Sequence, residues 1–145
     1  MLFELSEEHK LIQQAARDFA RNECLPGVIE RDEKQQFPKE QVIKLAELGF
    51  LGMMVDPEYG GSGMDTLSYV LAMEEISKID ASVSVVMSVN NSLVCFGLEA
   101  YGTEEQKQKY IPEILSGEAI GAFVSAVESS PPEQAPSAST ATITR

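Results

Sequence analysis

From Ala81 to Leu98 the chain reads ASVSVVMSVNNSLVCFGL, without one charged residue, in a protein that is otherwise 23% Asp, Glu, Lys and Arg. At about 100° per residue of helix, Ser84, Ser88, Asn91 and Cys95 fall on one narrow arc with Ser92 at its edge. Val83, Val85, Val86, Met87, Val89, Leu93, Val94, Phe96 and Leu98 fill the rest of the circumference. A helix apolar nearly all round is expected to be buried, and a small polar stripe on a buried helix needs something beside it. Another helix, a row of waters or a ligand would serve. The run is about long enough to cross a bilayer, but two Asn and four Ser within it argue against that and for a core helix, with no membrane partner.

With 145 residues the chain can bury one sizeable core. Its formal charge of −12, with 11 scattered Lys and Arg, excludes nucleic acid as a partner, because phosphate recognition needs clustered cations. MLFELSEEHK has neither a basic start nor an apolar run, so no signal or transit peptide is expected and a soluble, cytoplasmic protein is. Cys24 and Cys95 lie far apart in expected helices and make neither a disulfide framework nor a metal site.

Around that run the punctuation is helical. Ser6 with Glu7 and Glu8 reads as an N-cap, and Leu11, Ile12, Ala15, Ala16, Phe19 and Ala20 then recur at helical spacing to about Cys24, where Pro26-Gly27 stops them. VIERDEKQQ reads as a short, solvated helix or turn. Pro38 opens a helix with Val42, Leu45, Ala46 and Leu48 inward and Gly49 ending it. The Gly-rich MMVDPEYGGSGMD has neither the Lys-Ser/Thr pair of a phosphate loop nor a preceding strand, so it reads as a tight turn with Asp65 capping the next helix. There Leu67, Val70, Leu71 and Ile76 are expected inward and Glu74, Glu75 and Lys78 in solvent. Asp80 caps the charge-free run; Thr103 with Gln106 forms a capping box, and Pro112 should kink or restart the helix that this box opens. His9, on an exposed first turn, has no evident partner. AIGAFVSAV reads as a strand, and ESSPPEQAPSASTATITR as an irregular tail that offers it no partner strand.

In order along the chain, LSEEHKLIQQAARDFARNE, FPKEQVIKLAELGFLGMMVDPEYGGSGMDTLSYVLAMEEISKIDASVSV, NNSLVCFGLEAYGTEEQKQKYIPEILSGE and IGAF resemble the N-terminal part of the acyl-CoA dehydrogenase family, of short- or branched-chain type. The resemblance runs from about Leu5 to Phe123 and rests on PEYGGSG, MEEISKIDAS and YGTEEQKQKY-to-SGE occurring together at this spacing. It implies an all-α bundle of five or six helices over residues 1–118. Residues 119–127 would then be the first strand of an otherwise missing β-domain, and residues 128–145 a divergent low-complexity tail.

The resemblance also implies a whole-protein function: FAD-dependent oxidation of a fatty acyl-CoA thioester to the trans-2-enoyl-CoA, as in fatty acid β-oxidation. Electrons would leave through an electron-transferring flavoprotein, and the full-length enzyme would be a homo-oligomer. The matching helix lines the acyl cavity, which makes Ser88, Asn91, Ser92 and Cys95 the candidate substrate-binding residues. Phe123, Val124 and Ser125 match the strand that passes the flavin. The family's Gly-Ser-Asp step becomes Ala135-Pro136-Ser137, where Pro removes a donor and fixes φ. The catalytic glutamate of the family belongs to a C-terminal domain beyond Arg145, so no catalytic residue is assigned and a truncated, inactive product is expected. The alternative is a non-catalytic helical interaction module on the same fold. Either way a helical domain parted from its β-domain would expose an apolar patch and tend to associate.

Overall fold

The computed structural model describes residues 4–126 and 138–144, with side chains up to residue 122. It begins with a reciprocal cap: Ser6 Oγ accepts the His9 N–H at 3.1 Å, and His9 Nδ1 accepts the Ser6 N–H at 3.3 Å. Helix α1 runs from there over Glu7–Phe19 and continues as a π-helical turn, Ala20–Cys24. Ile12, Ala16, Phe19, Ala20 and Cys24 form its buried stripe. The short α2 (Val28–Glu33) buries nothing, as its polar sequence requires. Helix α3 (Lys39–Glu47) turns Val42 and Leu45 inward, while Leu48, expected inside, is 48% exposed because the chain has already left the helix there. Gly49, at φ +75°, makes the turn that stops α3 and leads into the short 3-10 segment Phe50–Gly52.

The Gly-rich loop is a turn that engages its own backbone. Ser62 N–H reaches Gly52 O at 2.9 Å, Gly63 N–H reaches Val55 O at 2.9 Å, and Met64 N–H reaches Met53 O at 2.7 Å. The amides of Tyr59, Gly60 and Gly61 are likewise donated to Asp56 and Pro57 carbonyls. These inward bonds leave no row of amides for a phosphate. Gly61 is required by proximity, since a Cβ there would sit 2.1 Å from Val55 O.

Asp65 then caps α4 (Thr66–Ser77) by accepting the Ser68 N–H at 2.8 Å. Asp80 does the same for α5 at Val83, 3.0 Å away. Helix α5, Ala81–Tyr101, is α-helical over Ala81–Ser88, π-helical over Val89–Cys95 and α-helical again over Phe96–Tyr101. Helix α6 (Glu104–Leu115) opens on the Thr103–Gln106 capping box and runs through Pro112 without restarting. Six helices among the described residues make this an all-α domain. One core lies between α1, α3, α4 and the first half of α5; a second gathers Val55, Val94, Cys95, Ile111, Ile114 and Ala119 under α6.

Two expectations change here. On α4, Leu71 and Ile76 are buried, but Leu67 and Val70 are 44% and 49% exposed. The terminal strand also has a partner. Strand β1 (Ile120–Ala126) pairs antiparallel with β2 (Ala138–Thr144) in the register Ile120↔Thr144 to Ala126↔Ala138. The Thr-rich, β-branched STATIT is suited to a strand, so the irregular tail does not extend over residues 138–144. Gly121 lets β1 lie on α5, where a Cβ would come 2.7 Å from Val94.

Candidate functional site

The polar stripe of α5 faces protein. Ser84 is 3% exposed, with its Oγ 2.6 Å from Ser77 Oγ. Asn91, 2% exposed, uses its whole carboxamide: Oδ1 accepts the Met53 N–H at 2.8 Å, and Nδ2 donates to Phe50 O at 2.8 Å and Met87 O at 3.0 Å. Asn90 Nδ2 donates to Leu51 O at 3.1 Å, so the two asparagines fasten α5 to the 50–53 turn. Cys95 is fully buried, and burial pushes its thiol up to about 12.

Ser88 and Ser92 are only half-buried. Tyr69 Oη donates to Ser88 Oγ at 3.1 Å, and Ser92 Oγ donates to Ser88 O at 2.7 Å. Of the four candidate substrate residues, these two lie at the border of the accessible surface, with Asn91 and Cys95 in the layer behind.

What α5 turns outward is apolar. Val85, Leu93 and Phe96 are 59%, 43% and 60% exposed. The absence of charge therefore does not mean burial all round, as the sequence suggested; the polar arc is inside and part of the apolar arc is outside. An exposed apolar row beside two half-buried hydroxyls is a surface that aliphatic material can cover.

Phe123, Val124 and Ser125 lie on β1, where their backbones pair with Ala141, Thr140 and Ser139. Their side chains, and residues 127–137 with the Ala135-Pro136-Ser137 step, lie outside the described residues. An open groove of about 700 Å³ lies at the start of α5, between Val28, Ile29, Phe37, Ile79 and Val86, and contains none of the candidate site residues. In its wall Arg31 donates to Asp80 at 3.0 Å, to Cys24 O at 2.6 Å and to Pro26 O at 2.8 Å.

Two side chains, Glu75 and His9, behave differently from their sequence reading. Glu75, expected in solvent, is 4% exposed. Arg17 Nε and Nη2 meet its two oxygens at 3.0 Å each, and Lys78 Nζ lies at 3.0 Å; chiefly the Arg17 bonds hold its carboxyl at about 2. His9 has a partner, Asp65 Oδ2 at 3.0 Å from Nε2; with Nδ1 accepting from Ser6, the ring proton sits on Nε2. Glu99 accepts the Asp56 N–H at 2.9 Å. No short-range motif marks these long-range pairs.

The acyl-CoA dehydrogenase N-terminal domain family matches residues 6–118, and the chain belongs to that family. It is 44% identical over 123 residues to the short-chain specific acyl-CoA dehydrogenase of Clostridium acetobutylicum, covering 85% of this chain and 32% of that enzyme. Against the human mitochondrial short-chain specific enzyme the identity is 46% over 120 residues, 83% of this chain and 29% of the relative. The fold is similar to butyryl-CoA dehydrogenase from Megasphaera elsdenii, with TM-score 0.76 and 36% identity over 83% of this chain and 32% of that one. It is also similar to a chain in a structure of the electron transferring flavoprotein of Acidaminococcus fermentans, with TM-score 0.81 and 39% identity over 90% of this chain and 34% of that one. The chain thus spans about a third of the length of these relatives.

Proposed function

We propose that this chain is the helical wall of the acyl site in a FAD-dependent acyl-CoA dehydrogenase. The outward apolar row of α5 and the bordering Ser88 and Ser92 would lie along a short acyl chain, with Asn91 and Cys95 supporting them from behind. The observation that carries the reading is that row, Val85, Leu93 and Phe96, exposed on a helix whose polar side is satisfied internally. Relatives whose names specify short-chain acyl-CoA favour a short aliphatic substrate. An electron-transferring flavoprotein is the proposed electron acceptor.

FAD supplies the hydride-accepting chemistry in such an enzyme. This chain's own contribution to it is one strand, carrying Phe123, Val124 and Ser125, with one edge already occupied by β2. A single strand paired on one side does not make a flavin site, so no redox step is assigned to residues of this chain. Its task is to shape the site and keep water from the acyl chain. Purified protein mixed with FAD and passed through a desalting column should emerge colourless; a flavin retained at near one per chain would overturn this division of labour.

A further inference from the structure

Of the ten glycines in the chain, nine answer to a demand made by the described residues. Gly27, Gly49, Gly60, Gly63 and Gly117 adopt positive φ. At Gly52, Gly61, Gly102 and Gly121 a Cβ would come 2.1, 2.3, 2.5 or 2.7 Å from a neighbouring atom. Gly97 meets neither condition. It lies in the α-helical stretch Phe96–Tyr101 of α5, its φ is not positive, and a Cβ there would meet nothing within 4 Å. Glycine inside a helix is less stable than alanine, and among the described residues nothing offsets that loss. The group that needs this backbone bare therefore approaches from outside them.

The position of Gly97 says where it approaches. With Val85 at 0° and about 100° per residue, the outward face of α5 runs through Phe96, Ala100 and Leu93 to Gly97 at about 120°. Along the i, i+4 row Gly97 stands between Leu93 and Tyr101, 43% and 86% exposed and about 12 Å apart along the axis. The row thus has a notch floored by backbone. One turn away β1 crosses the same helix, where Gly121 lies against Val94, and β1 continues to Phe123, Val124 and Ser125. In the function proposed above the reacting carbons meet the flavin beside that strand, so the acyl thioester reaches α5 at this level.

We propose that Gly97 is a specificity-determining residue: its bare backbone is the floor of the notch between Leu93 and Tyr101, and the thioester end of a short acyl chain lies across it. The occupant rests on the function proposed above. The notch itself does not.

The test compares Gly97→Ala and Gly97→Leu with unchanged protein, both in this chain alone and in this chain joined to the remaining two-thirds of the Clostridium acetobutylicum short-chain enzyme. In this chain alone Gly97→Ala should raise the melting temperature, because no neighbour is displaced. A lower melting temperature overturns the inference, since the glycine would then be required within the chain. In the joined enzyme FAD content should stay constant, while the butyryl-CoA concentration that half-bleaches the flavin should rise about threefold with Ala and at least about tenfold with Leu, as a filled space rejects what occupied it. Stability and substrate affinity moving in opposite directions is a pattern that a purely structural glycine does not give. Half-bleaching at one concentration in all three proteins overturns the inference and leaves the acyl wall standing. Loss of FAD in Gly97→Leu overturns it in favour of a protein neighbour at the notch. A dimer of this chain, seen by sedimentation and abolished by Gly97→Leu, overturns it in favour of a second copy. A joined enzyme that holds FAD but is not bleached by butyryl-CoA overturns the inference and the functional reading together.

Discussion

Arg17→Met should destabilise the fold more than Glu75→Gln, although both break the same ion pair. Glu75 is 4% exposed while Arg17 is 36% exposed, so removing Arg17 leaves a buried carboxylate with the half-exposed Lys78 in place of two cations, and removing the carboxylate charge leaves no buried charge. The carboxyl is held at about 2, against 4.5 ordinarily. At 1.36 kcal/mol per unit that shift is worth about 3 kcal/mol, and partial exposure of Arg17 and Lys78 reduces it to about 2. We therefore expect Arg17→Met to cost about 2 kcal/mol or somewhat more, and Glu75→Gln about 1, since the amide keeps the shape and Arg17 can turn to water. The shift also fixes the sign of the pH dependence. The folded pKa lies below the unfolded one, so the contribution is complete above about 4.5 and is lost as pH falls from there through about 2. Urea unfolding tracked by circular dichroism at pH 6 and pH 3 measures both effects. Equal costs for the two variants, or a gap between unchanged protein and Glu75→Gln that does not shrink at pH 3, would refute the reasoning.

Other consequences can be measured on the same protein. Gly61→Ala, with Val55 O 2.1 Å from the new Cβ, should cost about 2 kcal/mol or more by forcing the backbone apart, as thermal unfolding would show. Gly97→Ala, in helix with nothing within 4 Å, should instead stabilise by about 0.5–1 kcal/mol. Cys24 and Cys95, both pushed up to about 12 by burial, should resist a thiol reagent at pH 8 and react together only with unfolding. Asp65, held at about 2 by the Ser68 backbone N–H and His9, should contribute fully above about pH 4 and progressively less as pH falls toward 2; Asp65→Asn should flatten that part of the stability profile.

The sequence made local features legible because they depend on neighbours three or four residues apart. Ser6, Asp65, Asp80 and Thr103 all cap the helices that their spacing with acidic, amide or apolar residues implied. Gly49 ends α3 as its position suggested. Long-range partners were not legible: nothing near Glu75 in the chain points to Arg17, and nothing near His9 points to Asp65. The polar arc of α5 could be drawn on a regular helix, but its direction could not. Whether Asn91 faces a ligand or the 50–53 turn depends on a loop about forty residues away. Leu67 and Val70 illustrate the same limit, since apolar spacing locates a helix face without saying which element covers it. In the tail, low complexity concealed a strand because β pairing depends on β1, not on local composition.

The most direct test of the acyl-wall assignment is to join residues 1–126 of this chain to the remaining two-thirds of the Clostridium acetobutylicum short-chain enzyme, to which it is 44% identical over 123 residues. The chimaera should bind FAD, and its flavin should bleach on addition of butyryl-CoA. Leu93→Asp, which puts a charge in the proposed acyl row, should weaken butyryl-CoA binding at least about tenfold while leaving FAD content intact, a carboxylate against an aliphatic chain being strongly disfavoured. A chimaera that binds FAD and oxidises butyryl-CoA equally well with Asp at position 93 would contradict the assignment of this face to the acyl chain.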